Sequence, residues 1–129
     1  MDAELDINYV LKNISPQLNE GVFVFCSVHN VKNIKEEYIM ASIVEIEGRT
    51  IVLKKEIADS LKFPYSVSMN WITLSVNSSL ELVGLSAIIS KKFADQQISC
   101  NIIAGYYHDH IFVPIKNTVK ALNLLRELS

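Results

Sequence analysis

The stretch from Trp71 to Leu128 restricts the fold of this chain more than any other part. Trp71-Ile72-Thr73-Leu74-Ser75-Val76 is rich in β-branched and aromatic residues and reads as a strand. The hydrophobic period then lengthens. Leu82, Val83, Leu85, Ile88, Ile89 and Phe93 predict an amphipathic helix over Leu80–Asp95, with Asn77-Ser78-Ser79 supplying side-chain oxygens suited to capping it. After a turn at Gln96-Gln97, Ile98–Tyr106 and Ile111–Ile115 read as strands meeting at Tyr107-His108-Asp109-His110. Asn117–Leu128 closes as a helix with Val119, Leu122 and Leu125 on its apolar side. This β-α-β-β-α order is the split ferredoxin-like unit without its last strand. An open apolar edge invites pairing with other chains, so the missing strand is expected from the first half or from a second subunit.

The first half carries related signals. Val22–Val28 reads as a buried central strand, and His29–Tyr38 as a polar connection or short helix. Ala41–Ile46 and Thr50–Leu53 flank Glu47-Gly48-Arg49 as a hairpin, and Glu56–Leu61 follows as a short helix. Leu5, Tyr9, Leu11 and Ile14 suggest an opening helix that stops before Pro16. Laying Arg49–Lys55 over His110–Lys116 pairs Val52 with Val113, Lys55 with Lys116 and Leu61 with Leu122, a faint sign of internal duplication.

Composition narrows the partners. The 129 residues are 50% hydrophobic and 20% charged, enough apolar material for a real core in one domain or two small halves. Formal net charge is −2, and Lys54–Lys55 and Lys91–Lys92 are isolated pairs, so no basic surface for nucleic acid is expected. No apolar run approaches the length that spans a membrane, and the acidic N-terminus lacks a signal-peptide layout. Cys26 and Cys100 lie in apolar runs without a CxxC, as expected of free buried thiols in the cytoplasm, with a disulfide between them the alternative.

Four groups of residues could carry chemistry. A helix N-terminus after Asn77-Ser78-Ser79-Leu80 would offer free amides to a carboxylate or phosphate, with Gly84 allowing close approach; simple capping of a core helix is the plainer alternative. His108 and His110 alternate on a strand and could share a face toward a metal, although two ligands do not close a site and His29 lies elsewhere. A hydrolase built from Ser78 or Ser79 with a histidine and Asp109 lacks a GxSxG elbow, and no HExxH or P-loop occurs. Tyr106, Tyr107 and Phe112 lack the basic pattern of an RNA-binding sheet. The chain is therefore expected to be non-catalytic, with no metal or cofactor.

Two segments resemble a known family. Leu82–Ile89 followed by Phe93–Ile103 is similar to the core of an ACT domain. Ser78–Leu85 and Asn101–Pro114 resemble, more closely still, a group of small ACT-domain proteins carrying SSLxxVGL and NIIAGYYHDHIFVP segments, and the Glu45–Thr50 hairpin fits that group. The resemblance implies an α+β fold of two tandem ferredoxin-like βαββαβ halves, 1–67 and 68–129, with antiparallel sheets, helices on one face and strand exchange between halves. It also implies a small-metabolite site, with an amino acid as the expected ligand. By position, Asn77, Ser78, Ser79, Leu80, Val83 and Gly84 would face Asn101 and Ile102, with His108 and His110 nearby. The expected role is regulatory, acting as a homodimer or on a protein partner. The alternatives are a purely structural pairing module, or a small hydrolase or metal-binding protein using His108 and His110.

Overall fold

The computed structural model describes residues 6–76, 79 and 81–129. They form two compact units. One combines the residues up to Glu20 with Asn70–Ser129, and the other is Gly21–Met69.

In the discontinuous unit, α1 (Ile7–Asn13) leads into the short strand β1 (Pro16–Leu18). Asp6 caps α1 by accepting from the Asn8 amide at 2.9 Å. Past Met69, β5 (Met69–Leu74) belongs to this unit, followed by α3 (Leu85–Asp95), β6 (Asn101–Ala104), β7 (Asp109–Pro114) and α4 (Thr118–Arg126). Strand order here is β1-β5-β7-β6. Antiparallel β1 takes the edge that the β-α-β-β-α segment leaves open, with Pro16 opposite Leu74 and Leu18 opposite Ile72. The first half of the chain thus supplies the missing strand.

Alternation along the strands decides which side chains meet the helices. Ile72 and Leu74 of β5 and Ile111 and Val113 of β7 pack with Leu85, Ile89 and Phe93 of α3, Ala121, Leu124 and Leu125 of α4, and Val10 and Ile14 from the N-terminal segment. The i, i+4, i+8 spacing of the α3 residues puts them on one face. Two helix expectations are corrected. The α4 stripe runs through Thr118, Ala121, Leu124 and Leu125, and Val119 is 73% exposed. Helix α3 begins at Leu85 instead of Leu80, because Gly84 adopts φ +100°, which no right-handed helix can continue through.

In the Gly21–Met69 unit, β2 (Phe23–Val28) pairs antiparallel with β4 (Arg49–Lys54), which pairs with β3 (Ala41–Val44); α2 (Lys55–Ser60) follows β4. Met69 pairs with Phe23 on the other side of β2. Val24, Cys26, Val28, Ile51, Leu53 and Ala58 form the core of this unit. Between β2 and β3 the chain makes a turn in which Ile34 N–H donates to Val31 O at 3.1 Å and a 3-10 turn at Glu36–Tyr38, but no α-helix.

The duplication is real, but its register differs from the one expected. Ala41 faces Val52 and Val44 faces Arg49, while Asn101 faces Phe112 and Ala104 faces Asp109, each equivalent pair 60 positions apart. The hairpin turns repeat the same offset: Glu45 N–H donates to Gly48 O and Gly105 N–H to His108 O, both at 2.9 Å. The 61-residue alignment of Val52 with Val113 is one position out. Such a slip sends every side chain to the opposite face. It would equate the core-facing Val113 with Val52, which lies between the core-facing Ile51 and Leu53.

Candidate functional site

Between β5 and α3, the described residues Ser79, Glu81 and Leu82 take part in turns. Ser79 Oγ accepts from the Glu81 amide at 3.0 Å and Ser79 O accepts from Leu82 N–H at 3.0 Å. Serine competes for its own backbone in this way and holds the segment out of the helix. Gly84 stands at the N-cap of α3 without a side-chain cap. Its carbonyl accepts the first helical bond, from Ile88 at 3.0 Å. Among the described residues, no side chain caps the first-turn amides of Leu85, Ser86 and Ala87. No atom of the described residues lies within 4 Å of the place a Cβ on Gly84 would occupy, and Val83 is 85% exposed. Of the residues expected here, Ser79, Val83 and Gly84 come together in this segment. Asn77, Ser78 and Leu80 lie outside the described residues.

The strand residues do not share one wall. Asn101 pairs with Phe112 and Ile102 with Ile111, so they point to opposite faces of the sheet. Ile102 packs against the helical core, whereas the Asn101 amide donates to Phe112 O at 3.4 Å.

His108 and His110 are separated by local geometry. His108 occupies the hairpin turn, and its Nδ1 lies 3.4 Å from Val76 O. His110 is in β7 on the face away from the helices. There Trp71 Nε1–H donates to His110 Nδ1 at 3.0 Å. Because indole only donates, His110 Nδ1 must be unprotonated, which assigns its proton to Nε2. Thr73 Oγ1 lies 3.2 Å from the same Nδ1 and accepts from Asn19 Nδ2 at 2.9 Å. The Trp71 ring stacks on Phe112 at 6.0 Å. Burial lowers the His110 pKa, as does the neighbouring His108, against an opposing pull from Asp109. A Cβ at Gly105 would come within 2.8 Å of His108 O and 3.1 Å of His110 Nε2, so only glycine permits this turn to close over the ring. Among the described residues, no group of three or more His, Cys, Asp or Glu side chains is arranged to hold a metal.

Asn19, Trp71 and Thr73 were not expected at this network. Period-two spacing would have put Trp71 and Thr73 on one face, but only the pairing of β1 with β5 brings Asn19 to them. Sequence reasoning also passed over a recess in the Gly21–Met69 unit. This cavity of about 430 Å³ is lined by Val31, Ile34 and Ile39 of the β2–β3 connection and by Ser42 and Arg49 of the hairpin, with Glu36 among its lining.

Comparison with known proteins agrees with the duplication. Models of the ACT domain match residues 2–70 and 66–127. A Vibrio cholerae protein of unknown function, described as a possible transport protein, is 41% identical over 92% of both chains, with TM-score 0.82. An Agrobacterium tumefaciens protein is similar in fold at 11% identity, covering 90% of this chain and 89% of its own, with TM-score 0.67. The regulatory subunit of aspartate kinase from Thermus thermophilus shares the fold at 9% identity, 90% and 98% coverage, and TM-score 0.60. No curated relative matches the sequence.

Proposed function

Because the chain belongs to the ACT-domain family, we propose that it is a non-catalytic regulatory module that binds a small metabolite, an amino acid first among candidates. The observation that carries this reading is the first turn of α3, which among the described residues has no side-chain cap and begins at Gly84, beside an exposed Val83. Free amides at a helix start favour a carboxylate through their partial positive charge. The ligand contacts are assigned to Asn77, Ser78, Ser79, Leu80, Val83 and Gly84. His108, whose Nδ1 lies 3.4 Å from Val76 O, borders it and Ile102 supports it from the core, whereas Asn101 and His110 lie on the sheet face away from the helices and are left out of the contact set. The ACT halves are taken as 1–67 and 68–129, with the N-terminal strand exchanged into the second.

Such a module works in the cytoplasm by favouring one state of a homodimer or of a protein partner, to the extent that the ligand binds the two states differently. Pairing of two copies has its own support. Edge-strand residues Ile43 and Val44 are 53% and 78% exposed, and Ile46 at the adjoining turn is fully exposed.

A thermal-shift screen against the twenty amino acids and common nucleotides tests the reading. A ligand that binds only the folded state raises the melting temperature in proportion to ln(1 + [L]/Kd). We expect at least one amino acid to do so at millimolar concentration. No shift from any of them, with the protein shown to be folded, would refute metabolite sensing.

A further inference from the structure

The recess in the Gly21–Met69 unit is not among the ligand contacts assigned above, yet it has the features of a binding site. Its origin is visible in the duplication. The segment joining β5 to β6 forms the 11-residue helix α3, which lays Leu85, Ile89 and Phe93 on its sheet. The equivalent segment between β2 and β3 forms turns, one of them a 3-residue 3-10 turn, but no α-helix. It covers the core with the separated side chains of Val31, Ile34 and Ile39, and a cavity of about 430 Å³ is left between them and the hairpin.

Arg49 lines this cavity from β4. Its Nε donates to Ser42 Oγ on the neighbouring strand at 2.8 Å, a bond that holds the guanidinium plane in place. Among the described residues its two Nη atoms have no partner. A guanidinium so held presents parallel N–H donors that match a carboxylate, and much of the remaining wall is aliphatic. Glu36 lines the same space, where it opposes a polyanion and can accept from an ammonium group. The volume falls within the range of about 300–1,000 Å³ that small-molecule sites occupy.

The geometry points to a binding site for a small monocarboxylate with a short branched apolar tail, its carboxylate on the Arg49 Nη atoms and its tail against Val31, Ile34 and Ile39. The chemistry has two sources, an α-amino acid, whose ammonium would face Glu36, and the corresponding plain acid.

An amide-resolved NMR titration of the full chain tests this, with L-leucine, 4-methylpentanoate, L-leucinamide and inorganic phosphate as probes. Resonances of Val31–Ser42 and Arg49 should move with leucine, with 4-methylpentanoate or with both. Leucine alone identifies the amino acid as the source, and both together show that the carboxylate suffices. Arg49→Gln should weaken binding at least about tenfold, the loss typical of a charged hydrogen bond. Ser42→Ala, which frees the guanidinium without removing it, should weaken binding several-fold and leave the rest of the spectrum in place. The inference is overturned if leucinamide or phosphate moves the same resonances equally, if Ser42→Ala binds unchanged, or if Val31–Arg49 stays still in the folded protein. Movement confined to Ser79–Gly84 would overturn this site while supporting the function proposed above. Movement confined to Val31–Arg49 would support this site without the other.

Discussion

Truncating Ile14 tests the assignment of the N-terminal segment to the unit that holds β5–β7. Ile14 is 5% exposed and packs in the same core as Ile72, Phe93 and Leu125. Ile14→Ala removes three carbons, about 2.4 kcal/mol at roughly 0.8 kcal/mol per methylene. The cavity left behind adds to this, for an expected loss of about 3 kcal/mol within the usual range of about 2–5 for such a change. Val10→Ala, at a fully buried position, removes two carbons and should cost about 2 kcal/mol. Tyr9→Ala is the control on the same helix, because Tyr9 is 51% exposed, and it should stay within about 0.5 kcal/mol. The assay is urea unfolding followed by fluorescence of Trp71, the only tryptophan, which reports on this unit directly. Against a total stability of about 5–15 kcal/mol, a 3 kcal/mol loss moves the midpoint well beyond error. If Ile14→Ala costs no more than Tyr9→Ala, the segment is not part of this core and the exchanged strand is refuted with it.

Two further outcomes follow from perturbed groups. His110 has a folded pKa below its ordinary value, so between that lowered value and about 6.5 the unfolded chain binds a proton that the folded chain refuses. Stability therefore falls as pH drops through about 6.5, and the loss is complete at the folded pKa. Urea unfolding at about pH 7.5 and 5.5 should show this, with a smaller difference in His110→Gln; equal slopes in both proteins would refute it. Burial pushes the Cys100 thiol up to about 11 and also raises Cys26, on which Asp59 acts as a second cause. Neither thiol should be alkylated quickly by iodoacetamide at about pH 8 in the native protein, as read by mass spectrometry, and rapid labelling of either would contradict the burial.

Sequence by itself determined the order of elements in the second half, the hairpin around Gly48 and the need for a borrowed edge strand. These depend on local period and on turn residues, which neighbouring positions encode directly. It also carried the family resemblance, through Ser78–Leu85 and Asn101–Pro114. Tertiary structure alone decided where α3 begins, because whether Gly84 takes a positive φ is not written in its identity. It decided that β1 docks on β5 and brings Asn19 to Thr73, since antiparallel partners more than fifty residues apart leave no local pattern. It also decided the 60-residue register, which chance identities one position away had obscured. The recess at Arg49 belongs to the same class. It exists because a segment that reads as a polar connection or short helix spans a core without forming a full helix. Local chemistry sets what each segment can become, but a cavity is defined by surfaces that meet only when distant segments pack.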